Sequence, residues 1–206
     1  MDGDFFMKKR AIAPILLLGL ALWFSTGVLT VRAQTALAEK LLRLHVVAAS
    51  DSETDQANKL QVRGRVLAAA SRYTAGAETA AEAAAALAPH LGELQTEAEA
   101  CLASLGVDET VTVTLAREEF STREYDSFTL PAGQYETLRV VIGAGEGHNW
   151  WCVVFPSLCT AATAGEFDQA AVSAGLTQGE IGWITDDSAD VRVRFRILEL
   201  LQKLFS

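Results

Sequence analysis

The chain has 206 residues, half of them hydrophobic and 21% charged, enough apolar material for one packed domain and too much for wholesale disorder. Its net charge of −9 sets it against phosphate backbones and anionic membrane surfaces, which argues against nucleic-acid binding. Three cysteines are too few for a disulfide-stapled mini-domain.

The N-terminus has the pattern of an export signal. "MKKR" (7–10) is a basic flank, and the following 21 residues, 11–31, carry no charge. Small residues ending at Ala33 and at Ala38 offer places for a signal peptidase to cut. The positive-inside rule keeps Lys8, Lys9 and Arg10 in the cytoplasm and sends the rest across. Residues 1–33 are therefore expected to be a signal peptide or an N-terminal membrane anchor, and 39–206 an exported domain. Removing 1–33 takes away two acids (Asp2, Asp4) and four bases (Lys8, Lys9, Arg10, Arg32). That leaves 13 bases against 24 acids, or −11.

"KLLRLHVVAAS" (40–50) alternates at Leu42, Leu44 and Val46 and predicts a strand entering a turn. "SDSETDQ" (50–56) supplies N-cap candidates, with Glu53 and Asp55 placed to favour a helix dipole. Helical spacing of Val62, Val66, Ala69, Ala70 and Tyr73 then predicts a helix over 55–73. The alanine-rich stretch 75–106 predicts more helix, split or kinked at Pro89 and ended by Gly106, with a core stripe from Leu87 through Leu94, Ala98 and Leu102 to Leu105. Cys101 lies in this stripe as a small buried residue.

"ETVTVTLARE" (109–118) has half-buried strand alternation. "LPAG" (130–133) predicts a turn, and 135–143 and 149–155 predict two strands joined by a hairpin through Gly143, Gly145 and Gly147. Residues 159–182, small, polar and rich in Gly and Ala, are expected to be an irregular insertion. Residues 191–205 begin as a strand and end as a short amphipathic segment. This order predicts an α+β fold, a single domain with helices packed on one face of a mostly antiparallel sheet.

The chemical motifs thin out under inspection. "GAGEG" lacks the third glycine and following helix of a dinucleotide loop. Cys152, His148 and Asn149 are the residue types of a thiol hydrolase, and a secreted cysteine hydrolase using Cys152 is the alternative reading. On one extended strand, however, His148 and Cys152 would stand roughly 13 Å apart, leaving His45 as the other imidazole that could approach. Export also allows a bridge, and a nearby second cysteine, Cys159, favours one over a free thiolate. The spacing of Cys152 and Cys159 does not fit a zinc knuckle, and no metal or other cofactor is expected. Glu118 and Glu119, adjacent on a strand, point to opposite faces and cannot share a proton. Trp150 and Trp151 likewise point to opposite faces, so one can fill the core while the other, beside Asn149 and the glycines, forms a binding hot spot. The sequence does not say which.

Residues 41–67, "LLRLHVVAASDSETDQANKLQVRGRVL", and 121–159, "STREYDSFTLPAGQYETLRVVIGAGEGHNWWCVVFPSLC", resemble the stage II sporulation protein R family, with a weaker echo at 193–201. The chain departs from that pattern at Gly64, where the family carries an acid, and at His148, where it carries Lys or Arg. The resemblance implies a secreted, non-enzymatic signal of endospore formation. Such a signal acts between forespore and mother cell on a membrane-embedded aspartic protease, which then matures the precursor of sigma-E. No catalytic residue, nucleic acid or small-molecule substrate is implied, and membrane contact would come from residues 11–31 if uncleaved. On this reading Asn149, Trp150 or Trp151, His148 and Arg139 contact the protease, Gly145 and Gly147 shape the loop, and a Cys152–Cys159 disulfide locks it.

Overall fold

A computed structural model of the chain describes residues 31–160 and 164–186. Most of the expected leader and the C-terminal segment 191–205 lie outside the described residues. Among those described, no helix is long and apolar enough to cross a membrane.

Residues 31–38 are helical (α1), and β1 (Leu42–Val47) follows. Helix α2 (Glu53–Thr74) starts where the capping residues placed it: the Ser52 hydroxyl accepts from Asp55 N at 3.1 Å, and Glu53 and Asp55 sit in the first turn. The alanine-rich stretch forms α3 (Ala80–Leu87) and α4 (Leu91–Ser104), separated at Pro89 by a single 3₁₀ turn, Ala88–His90. A proline lacks the N–H that a continuous helix needs, so the break falls there. Gly106, at φ +76°, turns the chain out of α4. Leu105, expected in the core stripe, is 46% exposed, because the helix has already ended beneath it.

β2 (Val111–Phe120), the short β3 (Arg123–Glu124) and β4 (Thr129–Leu130), β5 (Gly133–Ile142) and β6 (Asn149–Phe155) complete the strands. β3 and β4 pair as a separate small hairpin, so Leu130, placed in a turn from sequence, is the last residue of a strand. The main sheet has the order β2-β5-β1-β6. β1 runs parallel to β5 and antiparallel to β6, and β2 is antiparallel to β5, giving a mixed α+β architecture in which two of three pairings are antiparallel.

The expected hairpin between β5 and β6 is corrected here. β1 lies between them, and residues 143–148 cross its end, where Gly147 N donates to Ala48 O (3.0 Å) and Glu146 N to Ala49 O (3.2 Å). β1 holds the central place, and its Leu42, Leu44 and Val46 have no exposure. Gly143 and Gly145 do take positive φ, +54° and +67°.

One face of the sheet carries Leu44, Val46, Leu138, Val140, Val111 and Val113, packed with Val62, Val66, Leu94 and Leu102 of α2 and α4. Each such fully buried side chain contributes roughly 1.5–3 kcal/mol by leaving water. The region expected to be irregular after Cys159 instead holds α5 (Ala164–Ser173) and α6 (Gln178–Thr185). A capping box of Thr177 with Glu180 starts α6, and Phe167 of α5 packs on Phe128 beside β4 (ring centres 5.2 Å apart).

Candidate functional site: the second face of the sheet

Alternation puts Arg43, His45 and Val47 of β1 on the face away from α2 and α4. Tyr135, Thr137 and Arg139 of β5 share it, as do Glu118 and Phe120 of β2 and Asn149, Trp151 and Val153 of β6. Polar and aromatic side chains dominate this face. His45 Nδ1 meets Glu118 Oε2 at 2.7 Å, and Nε2 meets Asn149 Oδ1 at 2.9 Å. Arg139 Nη1 reaches the other oxygen of Glu118 at 3.3 Å. The imidazole stacks on Trp151, ring centres 5.8 Å apart and 19° from parallel, and meets the edge of Phe120.

Next to His45 lies Arg43, which has no exposure. Its guanidinium carbon sits 3.9 Å from the centre of the Phe120 ring and 4.8 Å from that of Tyr135, and Nη2 donates to the Tyr125 hydroxyl. Burial pulls the Arg43 guanidinium below its ordinary range, with Tyr125 and Tyr135 opposing, and pushes the phenols of Tyr125 and Tyr135 up. The guanidinium carbon of Arg123, from β3, sits 3.5 Å from the centre of the Trp151 ring.

Three expected contact residues, Asn149, Trp151 and Arg139, are thus gathered around His45 and Glu118. The others stand apart. Trp150 points to the helix-covered face at the edge strand, is 36% exposed, and carries Arg63 over its ring at 4.7 Å. The two tryptophans occupy opposite faces as expected, Trp151 partly buried against the core and Trp150 exposed, and neither is fully buried on the outermost strand β6.

His148 belongs to the loop crossing. Its backbone N–H and Nδ1 both bond to Asp51 Oδ1, while its carbonyl accepts from Lys59 Nζ at 2.8 Å. Hydrogen bonds from the His148 side chain and backbone hold the Asp51 carboxyl below its usual range. Burial lowers the Lys59 ammonium, with Asp51 opposing. Gly147 packs so tightly that a Cβ there would stand 2.2 Å from Ser50 O.

Cys152 and Cys159 form a disulfide with Cα atoms 5.9 Å apart, and Cys159 Sγ also accepts from Val153 N. Cys152 faces the helices, paired opposite Leu44, whereas His45 faces the other way. The constellation needed by a Cys152 hydrolase is therefore not assembled. Among the described residues, no cluster of three or more His, Cys, Asp or Glu could hold a metal ion.

Sequence reasoning missed Arg43, His45, Glu118, Arg123 and Tyr125 as members of this face. The signal was present in "LRLHVV" and "ETLRVV", where polar residues at every second position alternate with core leucines and valines.

No solved structure matches the chain. It is 31% identical over 121 residues to stage II sporulation protein R of Bacillus subtilis (strain 168). The match covers 59% of this chain and 54% of the relative, so the chain spans about half the length of the curated relative it matches. The model of the stage II sporulation protein R family matches residues 38–165, from before β1 into α5 and including every residue of the second face described above. The chain belongs to the stage II sporulation protein R family.

Proposed function

We propose that the protein is a secreted signal of endospore formation that activates a membrane-embedded aspartic protease and thereby triggers maturation of the sigma-E precursor. Family membership across the whole sheet is the observation that carries this reading. The basic, then uncharged, leader supports export into the space between forespore and mother cell, cleaved or anchored. An activator of this kind needs no reacting group. It must bind the active state of its target more tightly than the inactive one, and the difference in affinity sets the activation.

The second face of the sheet is the surface assigned to this contact. Asn149, Trp151 and Arg139 bring an amide, an aromatic ring and a cation together on neighbouring strands, and tryptophan and arginine are among the residue types enriched in binding hot spots. Trp150 and His148, on other sides of the edge strand and its loop, extend the surface around β6.

Co-expression with the protease and the sigma-factor precursor in a host that does not sporulate tests the proposal. Precursor cleavage that depends on this protein is the expected result. An exported, folded protein that leaves the precursor intact sinks the reading. Trp151→Ala should weaken activation at limiting protein by roughly thirtyfold, the loss of about 2 kcal/mol typical of a hot-spot side chain.

A further inference from the structure

We infer that Arg43, Arg123 and Trp151 form a carboxylate-recognition site, the acceptor for an acidic side chain of the protein's partner; this rests on the reading of the second face as its contact surface. A guanidinium has five N–H donors in one plane. The rings of Phe120 and Tyr135 lie 3.9 and 4.8 Å from the Arg43 guanidinium carbon, and among the described residues Nη2 alone of its donors has an acceptor, the hydroxyl of Tyr125. Nε and Nη1 are shielded from water and have no partner. Nε of Arg123 is in the same condition, although its guanidinium lies over Trp151.

Among the described residues no carboxylate pairs with either guanidinium. Glu118, the acid on the same face, is already held by His45 and Arg139. Buried cations are ordinarily paired, because a buried charge without a counter-ion costs several kcal/mol. Ring faces offset part of that cost but do not accept the in-plane N–H groups. A carboxylate does, in the two-pronged geometry that distinguishes arginine from lysine. Tyr125 Oη thus meets Arg43 with a neutral oxygen where a carboxylate would bring matching charge. Arg123 and Tyr125 come from β3 and the turn after it, outside the main sheet, so this cover can shift without breaking a ladder of the sheet.

The test follows the side-chain Nε–H resonances of Arg43 and Arg123 by NMR in the purified full chain. The probes are the N-acetyl, N′-methylamide derivative of aspartate, its asparagine counterpart, and acetate. Saturable shifts of both resonances with the aspartate derivative, and none with the asparagine one, are expected. Arg123→Gln should weaken that binding about tenfold, while Arg123→Lys should restore only part of it. Equal responses to the aspartate and asparagine probes, or unchanged affinity in Arg123→Gln, overturn the site. Acetate binding as tightly as the aspartate probe overturns a partner side chain as the intended ligand. In the co-expression assay, Trp151→Ala losing precursor cleavage while Arg123→Gln keeps it removes the carboxylate site alone. Full cleavage with both variants removes the contact-surface reading beneath it.

Discussion

Replacing Gly147 by alanine places a methyl group 2.2 Å from Ser50 O, 2.6 Å from the carbon of the same carbonyl and 2.9 Å from Ala48 Cβ. Two of those atoms are backbone, and the Ser50 carbonyl is itself pinned, accepting from Gln56 Nε2 at 2.9 Å. The loop must therefore lift away, and the bond from Gly147 N to Ala48 O (3.0 Å) goes with it. Overpacking and one or two lost hydrogen bonds together cost about 2–4 kcal/mol. For a domain of this size that lowers the melting temperature by roughly 5–15 °C. Gly64→Ala is the paired control: no atom lies within 4 Å of its Cβ position, and an alanine inside α2 should stabilise by about 0.5–1 kcal/mol. Denaturant unfolding followed by tryptophan fluorescence measures both. A Gly147→Ala protein that unfolds at the wild-type midpoint would refute the close packing of this loop on the turn before α2.

Replacing Cys152 and Cys159 together by serine removes a bridge between residues seven apart, a loss of about 2–3 kcal/mol from loop-closure entropy. In the co-expression assay the folded double variant should keep measurable signalling, whereas a Cys152 hydrolase would lose all activity. Acid should weaken the fold through specific carboxylates. Hydrogen bonds from His148 hold Asp51 low, those from Tyr73 and His90 hold Glu93 low, and at Glu180 burial pushes up but the bonds from Lys40 and Thr177 outweigh it. Because these folded-state values lie below the unfolded ones, their stabilisation is complete above about pH 4–4.5 and is lost as pH falls through the lower values. Urea midpoints should decline below that pH, less steeply in Asp51→Asn, and a flat acid limb contradicts the assignment. Thr177→Ala should cost about 1 kcal/mol by removing the cap of α6, read as a lower thermal midpoint.

Much of the architecture is local and therefore legible in the residues. Alternation located β1 and β2, Ser52 with Glu53 and Asp55 announced α2, Pro89 split the alanine-rich helix, and Gly106 ended it. The same reasoning passed over α5 and α6, because Gly165, Gly175, Gly179 and Gly182 masked a helical pattern that the Thr177–Glu180 capping box nonetheless marks. Leu105 shows the limit of a stripe, since periodicity continues in the sequence after the backbone has stopped being helical.

By itself, the sequence determined the family, the acidic balance of the chain and its uncharged run at 11–31, the type of most elements, and the opposite facing of Trp150 and Trp151. Each of these follows from composition, from a motif, or from the two- and 3.6-residue periods of strand and helix. Strand order was decided only in three dimensions: nothing within 143–148 says that β1 will separate β5 from β6. The second face was decided there too. His45, Glu118 and Asn149 come from three strands up to 104 residues apart, and the lack of a carboxylate beside Arg43 among the described residues is visible only once the strands are packed. Long-range register is a property of the whole packed sheet, and a local pattern carries no information about which strand lies alongside.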